Sequence, residues 1–192
     1  MTAGRVLVAG VGNIFLGDDG FGVETVRRLR EHRLPEDVDV VDVGVRGVHL
    51  AYQLLDGYRM LVLVDATARG SAPGTVHLIE PDAGPVEAPA LDGHRMGPDA
   101  VLGLLGTLAA GTGGSPPGRV LVVGCEPESL EEGIGLSAPV AAAVEEAVRL
   151  VLRAVGADGP DERVDGNADG TADGHVVHRQ ADVQTEREAS TW

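Results

Sequence analysis

Three uninterrupted apolar runs, residues 5–9 (RVLVA), 60–64 (MLVLV) and 119–124 (RVLVVG), constrain this chain more than any other feature. Each is short, rich in β-branched residues and stopped by Gly or Asp, which is how a buried strand feeding a tight turn reads. Between the first two, residues 20–32 place Val23, Val26 and Leu29 at helical spacing with Arg27, Arg28 and Arg30 facing out, and the pattern ends before Pro35. Residues 38–41 make a second strand and residues 47–55 a short helix, giving a βαβαβ rhythm. From Asp65 to the strand-like residues 75–79 there are too few residues for a parallel crossover, which needs about a dozen, so the fourth strand is expected to be antiparallel. An irregular loop over 81–97 leads to a helix over 98–110 opened by Pro98. The fifth strand, 119–124, and a helix over 139–155 complete the pattern; Ser137 is the expected N-cap, and Val140, Val144, Val148, Val151 and Val155 form the apolar stripe. The expected fold class is α/β: a single-domain three-layer sandwich, with a mostly parallel five-stranded sheet, one antiparallel strand and helices on both faces.

With 192 residues, the chain fits one domain, placed at 1–155, plus an appendage. Residues 156–192 carry nine Asp or Glu against three Arg, repeated Asp-Gly steps and few large apolar side chains, and are expected to form an acidic disordered tail. Asp169-Gly170 and Asp173-Gly174 lack the twelve-residue ligand frame of a calcium loop, and His175 and His178 read as solvated. The formal charge is −15, every basic residue is Arg, and no aromatic–basic cluster is present to stack bases or track phosphates, so nucleic acid is not an expected partner. The single cysteine, Cys125, excludes an internal disulfide and a multi-cysteine zinc site and suits a reducing compartment. Residues 1–5 run straight into the first strand without a signal-peptide apolar region, and no apolar stretch reaches membrane-spanning length; the expected location is cytoplasmic, with no membrane partner.

The turn Gly10-Val11-Gly12-Asn13-Ile14-Phe15 invites a dinucleotide-binding reading, with Asp42 at the end of the second strand as the ribose ligand. Its third glycine would fall at Phe15, however, and Asp18-Asp19 put two carboxylates where a pyrophosphate needs positive potential. That pair favours a cation. In open α/β sheets ligands sit beyond the carboxyl ends of the parallel strands, so Asp19, after strand one, and Asp65, after strand three, are expected to share a crevice. The loop over 81–97 spans about 50 Å when extended at roughly 3.3 Å per residue, long enough to return His94 to the same edge. An O, O, N set of this kind suits a borderline divalent ion with open coordination positions. The plainer reading keeps Asp18 and Asp19 as favourable charges at a helix N-terminus, Asp65 as a turn former and His94 as a solvated loop residue.

Several stretches, in order, carry a resemblance: Val8-Ala9-Gly10-Val11-Gly12-Asn13, Gly17-Asp18-Asp19-Gly20-Phe21-Gly22-Val23, Val64-Asp65-Ala66, Pro73-Gly74-Thr75, His94-Arg95-Met96-Gly97, Glu126-Pro127-Glu128-Ser129 and Gly135-Leu136-Ser137. Together they resemble the endopeptidases that mature nickel–iron hydrogenases, over residues 5 to about 155. The resemblance implies an aspartic-type peptidase that hydrolyses one peptide bond near the C-terminus of the precursor of the hydrogenase large subunit, its partner. Asp19, Asp65 and His94 fall on the family's metal-contacting positions and are the implied catalytic and metal residues. Their implied ligand is Ni2+ already inserted in the precursor, so no permanent cofactor is called for, and nickel acts as a substrate-borne checkpoint. One departure stands out: the turn usually written Asp-Gly-Gly-Thr-x-Gly is here Asp42-Val43-Gly44-Val45-Arg46-Gly47, with Arg46 placed to pair with Asp42 or with a substrate carboxylate.

No Ser-His-Asp order or Cys-His motif calls for a covalent intermediate, so water is the expected nucleophile, with Asp19 or Asp65 accepting its proton. Three alternatives stay open at this point. One is a cysteine peptidase using Cys125 and His94, another a nickel-dependent escort that binds the precursor without cutting it, and the third a dinucleotide-binding protein.

Overall fold

The computed structural model describes residues 4–55, 57–81, 103 and 116–157. Strand β1 (Val6–Val11) is buried along its whole length and leads through a 3-10 turn (Gly17–Gly20) into helix α1 (Phe21–Leu29). Strand β2 (Val38–Gly44), helix α2 (Gly47–Leu54), strand β3 (Met60–Ala66), strand β4 (Val76–Ile79), strand β5 (Arg119–Cys125) and helix α3 (Ala138–Val155) follow. The strands form one five-stranded sheet in the order β2-β1-β3-β5-β4. β1 pairs in parallel with β2 and β3, β3 with β5, and β4 runs antiparallel to β5. The short β3–β4 connection thus takes the chain past the position later filled by β5 and sets β4 on the sheet edge.

Side chains alternate across the strands, and both faces are covered. Val6, Val8, Val62, Val64, Leu121, Val123 and Cys125 point into a core closed by α1 and α3, where Val140, Val144, Val148, Val151 and Val155 supply the stripe expected of the last helix. Leu7, Ala9, Val11, Leu61, Leu63 and Val122 point the other way and meet Leu50 and Leu54 of α2. Burying a side chain of this kind contributes about 1.5–3 kcal/mol, which is why nearly continuous apolar runs fix this layered arrangement. The helix expected over 98–110 and the loop over 81–97 lie outside the described residues apart from Pro81 and Gly103, the latter helical and buried. The same holds for the acidic tail beyond residue 157. Helix α3 closes at Gly156, left-handed at φ 73°, and the Ala157 N–H returns to the Leu152 carbonyl at 2.9 Å.

Helix α1 differs in detail from its sequence pattern. Its buried face is Phe21, Gly22, Thr25, Val26 and Leu29, while Val23 is only half-buried. Gly22 explains the rotation: any side chain there would collide with the carbonyl oxygens of Val11 and Val64. Its absence lets the start of α1 sit directly over the boundary between β1 and β3. Because β1 connects through α1 to β2 on one side and has β3 on the other, that boundary is the point where strand order reverses, and the crevice for a ligand opens there.

Candidate active site

Asp19 sits in the 3-10 turn above this boundary, and Asp65 is the penultimate residue of β3. The two carboxylates are close enough to feel each other. Burial pushes the Asp65 carboxyl well above the usual range, the negative charge of Asp19 pushes it further, and only the Ala66 N–H works the other way. Asp19 is held by a hydrogen bond from the Asn13 N–H to its Oδ2 at 2.6 Å. Gly12 makes that geometry possible. At φ 130° it turns β1 sharply, and a methyl group on it would collide with the Asp19 carbonyl oxygen. The third residue expected at this rim, His94, lies outside the described residues. Among the described residues, no group of three His, Cys, Asp or Glu side chains is arranged to hold a metal ion.

Asp18, next to Asp19, has a different environment. It is almost fully buried, and its carboxylate accepts four hydrogen bonds from distant residues: the N–H groups of Glu128 (2.8 Å), Ser129 (3.0 Å) and Ser137 (2.6 Å), and the Ser137 hydroxyl (2.9 Å). Burial pushes this carboxyl up, but the donors of Ser137, Ser129 and Glu128 more than reverse it and leave it below the usual range. The plain sequence reading of Asp18 as a charge at a helix start therefore misses its role. Ser137 also departs from expectation: it occupies the N-cap of α3, but its hydroxyl donates to Asp18 and makes no capping bond to the helix. Glu126, just after β5, is a further buried carboxylate beside Asp18 and Asp65, accepting the N–H groups of Arg69 at 2.7 Å and Gly70 at 3.2 Å. Here again burial pushes upward, and the N–H groups of Arg69, Ser71 and Gly70 outweigh it, leaving the carboxyl below its ordinary range.

The geometry has clear counterparts among known proteins. The profile described as hydrogenase maturation protease matches residues 23–154. The hydrogenase 2 maturation protease of Escherichia coli K12 is 35% identical over 157 residues, covering 81% of this chain and 93% of that protein. The hydrogenase expression/formation protein HoxM of Azotobacter vinelandii is 35% identical over 176 residues, covering 85% and 82%. In solved structures, the hydrogenase maturating endopeptidase HybD from E. coli aligns with a TM-score of 0.64 at 37% identity, over 81% of this chain and 94% of that one. The chain belongs to the hydrogenase maturation protease family. It is a peptidase, and its mixed α/β sheet is the fold of that family.

The peptidase's remaining candidate residues sort themselves by contact. Cys125 is wholly buried on the α1–α3 face, and burial, with the charges of Asp18, Glu126 and Glu146, pushes its thiol up to about 12. A thiol so protonated and so covered is no nucleophile. Arg46 donates from Nε to the Val43 carbonyl at 3.3 Å and from Nη2 to the Asp42 carbonyl at 3.2 Å. It therefore clasps the backbone of the β2–α2 turn, holding the Asp42 carbonyl and not the Asp42 carboxylate. Val43 is a core residue beneath α2, and Val45 is exposed. Asp42 stands inside β2 opposite Gly10 instead of ending the strand, and the space over the Gly10–Gly12 turn is occupied by the Asp19 backbone. A pyrophosphate would meet carbonyl and carboxylate oxygen there, which disfavours the dinucleotide reading.

Proposed function

We propose that this peptidase removes a C-terminal extension from the nickel-loaded precursor of a nickel–iron hydrogenase large subunit, and reads the nickel carried by that substrate as its recognition element. The observation that carries the reading is the pairing of Asp19 with Asp65 at the strand-reversal point. Two carboxylates brought together with one of them buried repel each other, and among the described residues no Lys, Arg or His is paired with either. A divalent cation brought in by a partner relieves that repulsion, and carboxylate oxygens suit a borderline ion when an imidazole joins them. His94 is proposed as that third ligand.

In the proposed reaction Asp19 and Asp65 contact the substrate's nickel, which polarises the scissile carbonyl. One of the two carboxylates takes the proton of the attacking water, an aspartic-type hydrolysis without an acyl-enzyme. Precursor lacking nickel leaves the carboxylates uncompensated and is not held. The same proposal places the chain in the cytoplasm with its substrate; no helix among the described residues is long and apolar enough to cross a membrane.

The test is substitution of each proposed ligand. Asp19→Asn, Asp65→Asn and His94→Ala should stay folded by circular dichroism and stop the mass loss of nickel-loaded precursor. Processing at the wild-type rate by all three variants rejects the site. Stable binding of loaded precursor by the wild-type protein without any mass loss would make it an escort instead.

A further inference from the structure

The segment that follows β5 is tied down at both ends by buried carboxylates, and each end reaches one side of the crevice. At its start, the Glu126 side chain holds the N–H groups of Arg69 and Gly70, in the connection leaving β3 just beyond Asp65. The Glu126 backbone is fastened to the same connection, donating to the Thr75 carbonyl at 2.9 Å and accepting from Gly74 at 2.8 Å. Further on, Glu128, Ser129 and Ser137 all donate to Asp18. The 3-10 turn answers in kind: the Asp18 N–H donates to the Ser129 carbonyl at 3.1 Å and the Gly17 N–H to the Gly133 carbonyl at 3.0 Å. Residues 126–137 thus form a strap between the turn that carries Asp19 and the strand end that carries Asp65.

We propose that Asp18 is a positioning residue of the peptidase: through this strap its buried carboxylate fixes the Asp19 turn opposite Asp65. The inference rests on the reading of Asp19 and Asp65 as the reacting carboxylates. Asp18 has no part in contacting substrate, since its oxygens are already taken by four donors and it is almost wholly covered. A carboxylate is the side chain such a place requires. It accepts at both oxygens, whereas an asparagine of the same shape would turn an amide donor toward N–H groups. Without the strap, Asp19 keeps only contacts local to its own turn, the Asn13 N–H on its carboxylate and its own N–H on the Leu16 carbonyl, and a shift of about 1 Å at a reacting group is enough to cost about a hundredfold in rate.

The experiment compares Asp18→Asn with Val148→Ala, a core substitution in the middle of α3 on the same face of the sheet, which serves as the control for a general loss of stability. Steady-state processing of nickel-loaded precursor is followed by mass, well below the melting temperature of either variant. Asp18→Asn is expected to lower kcat at least tenfold with KM changed less than threefold, while Val148→Ala keeps both wild-type values. Ser137→Ala, which removes one of the four donors, should fall between them. Wild-type kcat in Asp18→Asn, a loss confined to KM, or an equal loss in Val148→Ala would overturn the inference. Should Asp19→Asn and Asp65→Asn process normally, the underlying site assignment fails instead, whatever Asp18→Asn does.

Discussion

Asp65 is buried at the reversal point of the sheet and faces the charge of Asp19, burial first and Asp19 second raising its proton affinity, and no cation among the described side chains offsets them. The arrangement is unfavourable for the isolated protein. Natural cores avoid such pairs, and this one stands at the edge where ligands of this sheet topology enter.

A stability consequence follows with a definite sign. A carboxyl whose proton affinity is raised by folding favours the folded state at low pH, and that contribution is lost as pH climbs from the ordinary aspartate range through the raised value. Asp65→Asn removes this dependence. The variant should therefore melt at a higher temperature than wild type at neutral pH and show a flatter dependence of melting temperature on pH, while processing stops. Scanning calorimetry across pH checks it; a lower melting temperature than wild type at neutral pH would contradict the burial-and-repulsion account.

The turn at Gly12 is the tightest constraint on Asp19. Gly12→Ala must relieve a collision with the Asp19 carbonyl and hold an L-residue at φ 130°, and overpacking with backbone strain of this kind costs about 2–3 kcal/mol or more. Denaturant unfolding should show that loss, and processing should fall even where the variant is folded, because the carboxylate has moved. Alanine tolerated with full activity would mean that the turn relaxes without disturbing Asp19.

Cys125 offers a negative control. Buried and with its thiol pushed up to about 12, it should resist iodoacetamide at neutral pH in the folded protein and react only after denaturation. Processing should be unaffected by the reagent. Stoichiometric alkylation of the native protein with loss of activity would return the cysteine peptidase to consideration.

Much of this was legible in the residues. Strands buried on both faces announce themselves as apolar runs, and the short stretch between Asp65 and residue 75 is enough to reverse β4, because chain length limits a crossover. The rule that ligands sit beyond the carboxyl ends of parallel strands puts Asp19 and Asp65 at one rim, and the structure brings the two within electrostatic reach of each other. What stayed hidden depends on contacts far apart in sequence. The bonds from Glu128, Ser129 and Ser137 to Asp18 span 110 to 119 positions, so nothing local marks Asp18 as different from Asp19. Ser137 looked like a helix cap because its spacing to α3 is right, and only the buried carboxylate beside it decides where its hydroxyl points. Arg46 likewise had a carboxylate within sequence reach and took backbone carbonyls instead.

Asp19 and Asp65 are proposed to recognise nickel that arrives with the substrate. The most direct test is to incubate the wild-type peptidase with matched preparations of hydrogenase large-subunit precursor, one nickel-loaded and one nickel-free, and to weigh the products. Loss of a C-terminal fragment from the loaded precursor alone is the predicted result. Equal cleavage of both preparations would contradict the account.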